Sequence, residues 1–302
     1  MSHVLVLVSN PAEPAVDPGL AARLAPFLYE PEAPRVLSAG VAIEIPFRAR
    51  AGFTRDDRKR VADELRPELG GRPVDLAVVA TAGRRKRLFL ADMDSTMIAQ
   101  ECIDELAAEL GLKDRIAAIT ARAMRGEIAF EPALRERVGL LKGLPVAVVD
   151  KVIAERITLV PGGRALLATM KANGAYTALV SGGFTVFTGP ISAMLGFHEH
   201  RSNRLGVVGG LLDGTVGEPI LGQEAKKASL IELRARHGLA PEDTMAVGDG
   251  ANDLAMLGEA GIGVAAHAKP AVAAAADVRI DHADLSALLY LQGYADDEIT
   301  GA

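Results

Sequence analysis

The stretch LFLADMDSTM, residues 88 to 97, decides the fold. A short, mostly apolar run goes straight into two acids one residue apart, Asp92 and Asp94, followed by Ser95 and Thr96. Such a run predicts a buried strand that delivers its carboxylates at its carboxyl end. Downstream, YTALVSGG (176–183), TMAVGDG (244–250) and GIGVAA (261–266) read as further strands, with DVRI (277–280) a short fifth. Helical stretches separate them, which predicts an α/β, doubly wound parallel sheet covered by helices on both faces. Ligands of such sheets bind outside the carboxyl ends of the strands, so Asp92, Ser181 and Asp249 are expected to converge.

Two insertions interrupt the sheet. About residues 99–165 read as helical and are too long for a simple crossover, which predicts an inserted helical cap. NRLGVVGGLLDGTVGEPILG (203–222) predicts a small hairpin, with Asp213 and Gly214 as its two-residue turn. Ahead of the sheet, residues 1–85 read as βαββαβ: HVLVLVSN, a helix in DPGLAARLAPFLYE, PRVLSAG, VAIEIPFRA, a helix capped by Thr54, and VDLAVVAT. That order is ferredoxin-like and resembles the ACT-type regulatory modules that bind amino acids. Residues 86–302 then form the second unit. The basic run GRRKR (83–87) reads as a solvated linker in preference to a phosphate-attracting patch.

Composition bounds the function. In 302 residues the hydrophobic fraction is 49%, which with the regular apolar runs excludes disorder. One cysteine, Cys102, allows no internal disulfide and no cysteine-built metal site, and it reads as helix packing. A formal net charge of -6 with only short basic stretches argues against a nucleic-acid partner. No apolar run approaches the roughly 20 residues that span a bilayer, and MSHVLVLVSN shows no basic leader, so no membrane is expected and the cytoplasm is.

Asp92 and Asp94 are joined by Asp249 and Asp253 of VGDGAND. Anions gathered so closely repel one another and raise each other's pKa unless a cation joins them. Oxygen donors without His or Cys point to Mg²⁺. Taken singly, each acidic motif also reads as a surface turn with Asx-type hydrogen bonds. SGG (181–183) adds a hydroxyl and flexible N–H groups where a helix is expected to begin, and Lys226, or its neighbour Lys227, adds a cation. HEH (198–200) reads as a polar turn, and GIGVAAHAKPAV lacks the full dinucleotide fingerprint.

An acidic strand end, a Ser-Gly turn, a lysine and a second acidic strand end, in that order, resemble the motif series of the haloacid-dehalogenase superfamily. DMDST, ECIDELA, FEPALRERVGLLKGLP, VSGGFT and VGDGANDLAML narrow the resemblance to its phosphoserine phosphatases. The resemblance implies Mg²⁺-dependent hydrolysis of O-phospho-L-serine through an aspartyl-phosphate. Asp92 would be the nucleophile and Asp94 the general acid and base. Asp92, Asp249 and the backbone carbonyl of Asp94 would hold Mg²⁺, and Ser181, Gly182, Lys226 and Asn252 would grip the phosphoryl group. Asp253 would act through water or by orienting Lys226. Glu101 would meet the substrate ammonium and Arg137 its carboxylate, with Met124 and Phe130 closing the pocket. By themselves Glu101 also reads as an acid facing a helix dipole and Arg137 as a solvated helix charge; Arg135 points to another face. The alternatives are an enzyme for another small phospho-compound such as phosphohomoserine, and a serine-binding regulator. Either way a homodimer is an open assembly.

Overall fold

The computed structural model describes residues 1–124 and 127–301; for Met124 it describes the backbone only. The chain opens with β1 (His3–Ser9), α1 (Pro18–Leu24), β2 (Arg35–Ser38), β3 (Ala42–Phe47), α2 (Arg55–Leu65) and β4 (Val74–Ala80). The strands form an antiparallel sheet in the order β2-β3-β1-β4. Asp17 starts α1 by accepting the Leu20 N–H at 2.8 Å, and Thr54 starts α2 in a reciprocal pair with Asp57. Successive strand residues face opposite sides. Leu5 and Leu7 of β1 therefore join Leu20, Leu24 and Leu65 in one core, whereas Val4, Val6 and Val8 join the large core that also holds Leu285, Leu288 and Tyr290. Both faces of this sheet are covered, which is why β1 reads as an unbroken apolar run.

The second sheet begins with β5 (Leu88–Ala91). Four helices follow: α3 (Cys102–Glu109), α4 (Lys113–Met124), α5 (Phe130–Gly139) and α6 (Val148–Arg156). Then come α7 (Gly163–Ala172), β6 (Tyr176–Phe184), α8 (Thr185–Leu195), β7 (Glu199–Asn203), β8 (Leu205–Val208), β9 (Leu211–Val216) and α9 (Gln223–Arg236). The chain closes with β10 (Thr244–Gly248), α10 (Leu254–Glu259), β11 (Ile262–Ala266), α11 (Pro270–Ala275), β12 (Val278–Ile280) and α12 (Ala287–Leu291). The six-stranded sheet has the order β12-β11-β10-β5-β6-β7 and is parallel throughout. Chain direction across the sheet reverses at β5, so the carboxyl ends of β10, β5 and β6 border the crevice expected of a doubly wound sheet. Among the described residues no helix is long and apolar enough to cross a membrane.

Three local expectations are corrected. HEH is not a turn: Glu199 and His200 lie in edge strand β7, whose half-solvated faces carry polar residues and so hide the strand from an apolar-run reading. The hairpin turns at Gly209 and Gly210, with φ of 60° and 79°, while Asp213 and Gly214 lie inside β9. Both dipeptides tolerate the left-handed conformation, and pairing with the cap selects between them: the N–H groups of Gly143 and Val146 bond to Leu212 O and Gly210 O at 2.8 and 2.9 Å. GRRKR is solvated only in part: Gly83, Arg85 and Arg87 are exposed, but two of its basic residues turn inward. Arg84, half-buried, pairs with Glu44 at 2.6 Å and donates to Leu291 O and Tyr290 O, and buried Lys86 donates to Gly83 O and Glu242 O at 2.8 and 2.6 Å. Arg84 thereby ties β3 of the first sheet to α12, and buried Asp75 of β4 adds a second tie by accepting the N–H groups of Asp281, His282 and Ala283.

Candidate active site

Asp92 follows the last residue of β5 and is fixed to the neighbouring strand by its N–H, which donates to Val247 O at 3.0 Å. Its Oδ1 accepts the Met93 N–H at 2.7 Å and meets Lys226 Nζ at 2.8 Å. Lys226 sits in the first turn of α9, fully buried, and reaches Asp253 Oδ1 at 2.7 Å as well. Burial alone would depress a lysine pKa; here Asp92 and Asp253 outweigh it and hold the ammonium above its ordinary range. Asp253 is pushed up to about 7 by burial and by Asp92, with Lys226 opposing. Its Oδ2 accepts the Gly250 N–H at 3.1 Å, and a Cβ at Gly248 would lie 2.4 Å from its Cγ, so only glycine fits there.

Asp249, at the end of β10, accepts the Thr96 hydroxyl at 3.2 Å. Burial and then Asp92 raise its pKa. Ligand oxygens of Asp92, Asp249 and Asp253 all lie within 4.8 Å of one another. Lys226 answers Asp92 and Asp253, whereas Asp249 makes no ion pair among the described residues. An all-oxygen acidic cluster with one member lacking a cation fits a hard divalent metal.

Asp94 is anchored by the Cys102 N–H, which donates to its Oδ1 at 3.2 Å. Burial, then Glu101, then Asp92 push its pKa up to about 8. The intervening loop is tight: Ser95 adopts φ 54°, a left-handed conformation that costs a non-glycine residue about 1–2 kcal/mol, and its hydroxyl donates to Glu101 Oε1 at 2.8 Å. The Glu101 side chain is thereby held beside the site and makes no cap bond to α3, although the residue precedes that helix.

SGG lies in the strand, not at the helix start: α8 begins at Thr185, and Ser181 to Gly183 bulge from the β6–β7 ladder between the pairs Val180–Arg201 and Phe184–Asn203. Ser181 Oγ accepts the Gly183 N–H at 2.9 Å, and a Cβ at Gly183 would lie 3.0 Å from Asp94 Oδ2. From the cap, Phe130 lies across this bulge and the start of α9: a Cβ at Gly182 or Gly222 would be 3.5 or 3.3 Å from its ring. The Met124 side chain lies outside the described residues.

Arg137 is half-buried on α5 and donates to Ala133 O and Thr120 Oγ1, both at 3.3 Å. Burial pulls its pKa down while Asp104, Glu101 and Asp94 act against that, yet none of them forms an ion pair with it. Arg135, two residues earlier, is spent on Glu131 and Glu218 at 3.4 and 2.5 Å. Lys227 faces Glu259 at 3.6 Å, away from Asp92. Asn252 folds against Gly250, and its side chain makes no hydrogen bond among the described residues. Two residues passed over in the sequence stand in the site: Thr96, on Asp249, and buried Asn203, on Gly182 and Leu221. Thr96 lies within the quoted motif but only a fold tells which acid it meets.

A parallel sheet whose switch point gathers these acids, a lysine and a Ser-Gly bulge under a helical cap defines a class of hydrolase. The sequence model described as haloacid dehalogenase-like hydrolase matches residues 89–258, and the chain belongs to that family. More particularly, it is similar to a phosphoserine phosphatase of Mycobacterium tuberculosis, 42% identical over 231 residues, which are 76% of this chain and 56% of the relative. The chain thus spans little more than half the length of that relative. A solved HAD family hydrolase of Salmonella enterica serovar Typhi has 32% identity and a TM-score of 0.81, over 96% of this chain and 98% of the other. A phosphoserine phosphatase solved as a phospho-aspartyl intermediate analogue has 41% identity and a TM-score of 0.64, over 68% and 98%.

Proposed function

We propose that the chain is a phosphoserine phosphatase that hydrolyses O-phospho-L-serine to L-serine and phosphate with Mg²⁺. Arg137 carries the substrate choice: a half-buried guanidinium that pairs with no carboxylate among the described residues, on the same cap that brings Glu101 to Ser95. Arg137 would fork onto the substrate carboxylate and Glu101 would meet its ammonium. The named phosphoserine phosphatases among the similar proteins support the same reading.

The same reading assigns the chemistry to these residues. An Asp92 carboxylate oxygen attacks phosphorus, the bond from phosphorus to the serine oxygen breaks, and an aspartyl-phosphate forms. Asp94, whose raised pKa lets it carry a proton near neutrality, gives that proton to the leaving oxygen. Water then attacks the phosphorus as Asp94 takes its proton, the bond from phosphorus to the Asp92 oxygen breaks, and phosphate leaves with the Asp92 carboxylate restored. Lys226, Ser181, Gly182 and Asn252 hold the phosphoryl oxygens, while Asp253 orients Lys226. Asp92, Asp249 and the Asp94 carbonyl would hold Mg²⁺, which supplies positive charge against the phosphoryl oxygens. Phe130, lying over Gly182, excludes water from the grip.

In this reading residues 1–85 are an ACT-like unit, residues 86–302 the phosphatase unit, and the enzyme works in the cytoplasm. The test is phosphate release from phosphoserine, phosphohomoserine and an aryl phosphate, with Mg²⁺ and with EDTA. The expected result is a marked preference for phosphoserine that EDTA abolishes. Equal rates on all three would overturn the serine assignment.

A further inference from the structure

Asn203 is the last residue of β7 and only 2% exposed. Its Nδ2 donates to Gly182 O at 2.8 Å and to Leu221 O at 3.1 Å, and its Oδ1 accepts the Leu221 N–H at 2.6 Å. No other orientation of the amide serves, because a flipped side chain would set its oxygen against two carbonyls. All three bonds go to segments that the phosphatase reading uses. Gly182 belongs to the Ser-Gly-Gly bulge, and Leu221 precedes Gly222, from which α9 starts and carries Lys226.

The bulge explains why a side chain is needed there. Between Val180 and Phe184 the ladder with β7 is interrupted, so Gly182 O lies outside the regular strand pairing. Two adjacent glycines also leave the peptide between them cheap to rotate. In a trans peptide the Gly182 carbonyl and the Gly183 N–H point in opposite directions. Holding the carbonyl on Asn203 therefore turns the Gly183 N–H the other way, onto Ser181 Oγ at 2.9 Å. A hydroxyl that accepts this bond keeps its own hydrogen free to donate. A rotated peptide would instead present a carbonyl to the anion and take the N–H from Ser181.

We propose that Asn203 is the positioning residue of the phosphate grip: it fixes the Gly182–Gly183 peptide so that Ser181 donates to the phosphoryl group, and it ties that bulge to the segment leading to Lys226. The inference rests on the phosphatase reading for the roles of Ser181, Gly182 and Lys226. It does not depend on which phospho-compound is the substrate.

The experiment is titration calorimetry of inorganic phosphate into the full-length protein in Mg²⁺, for wild type, Asn203→Asp and Asn203→Ala, with a melting temperature for each. Asn203→Asp keeps the bond from Leu221 N–H and the shape but loses both donations. Phosphate affinity is expected to fall about tenfold to a hundredfold in both variants, measured at a temperature where each is folded. A lower melting temperature with unchanged phosphate affinity would overturn the proposal. If Asn203→Ala does not fold, Asn203→Asp decides; if neither folds, the residue serves the fold alone and the proposal is overturned. A wild type that binds phosphate but shows no preference for phosphoserine would sink only the substrate assignment. One that binds no phosphate in Mg²⁺ would sink both.

Discussion

Lys226 Nζ meets Asp92 Oδ1 at 2.8 Å, with the lysine side chain fully buried and the aspartate nearly so. The same ammonium touches Asp253 at 2.7 Å, so the lysine does not depend on a single partner. Removing one partner of a buried pair is usually costly because a charge is left alone. Here the double contact protects the lysine.

Asp92→Asn therefore keeps the fold. The amide has the same shape, Lys226 retains Asp253, and the repulsion that Asp92 exerts on Asp94, Asp249 and Asp253 disappears. Turnover is expected to fall by on the order of 10⁴-fold or more, as for loss of a catalytic nucleophile. A melting temperature within a few degrees of wild type, beside absent phosphate release, is the outcome to look for. Near-normal turnover would remove Asp92 from the chemistry.

Arg137→Ala separates binding of the serine moiety from chemistry. Among the described residues no carboxylate loses a partner, because Arg137 bonds there to Ala133 O and Thr120 Oγ1. A charge-assisted contact is worth about 1.5–3 kcal/mol, so kcat/KM for phosphoserine should drop about tenfold to over a hundredfold. An aryl phosphate without a carboxylate should lose little. Equal losses on the two substrates would place Arg137 in cap structure or closure.

Asp75 predicts that the first unit is not dispensable. It gives both oxygens to three N–H groups of residues 281–283, and Val4, Val6 and Val8 pack in the core of the catalytic sheet. Asp75→Ala should cost about 2–4 kcal/mol in urea unfolding, since three donors are stranded. A chain starting near Arg84 would expose that apolar face and should aggregate. A soluble, cooperatively melting truncation would show that the two cores are separable.

Lys86 predicts a pH dependence of stability. Burial lowers its pKa to about 8, from an ordinary value of 10.5. Between those values the unfolded chain holds the proton and the folded one does not, so stability rises with pH across that window. Relative to Lys86→Met, wild type should gain on the order of 2 kcal/mol between pH 7 and pH 10. A constant difference in unfolding free energy across that range would show that Lys86 stays charged in the fold.

The sequence by itself determined what short windows can hold. Apolar runs ending in Asp92, Ser181 and Asp249, separated by helical stretches, give a parallel sheet with chemistry at its carboxyl end, because strand burial and the alternation of strand with helix can be read from short windows. The cap at Thr54 and the helical character of the cap region follow from the same kind of signal. Where a window admits two answers the tertiary structure chose. Gly209–Gly210 and Asp213–Gly214 both allow the hairpin turn, and bonding of Leu212 and Gly210 to the cap segment fixed which one turns. Arg84 and Lys86 look as solvated as Arg85 and Arg87 in GRRKR, yet they alone turn inward, because their partners Glu44, Leu291 and Glu242 lie far away in sequence. The same holds at the site. Asp92 is legible from its strand, but its pairing with Lys226, the hydroxyl of Thr96 on Asp249 and the amide of Asn203 on Gly182 and Leu221 exist only once strand order and register bring those segments together. Burial then strengthens each of these contacts, since removing water is what makes a hydrogen bond or an ion pair decide a position.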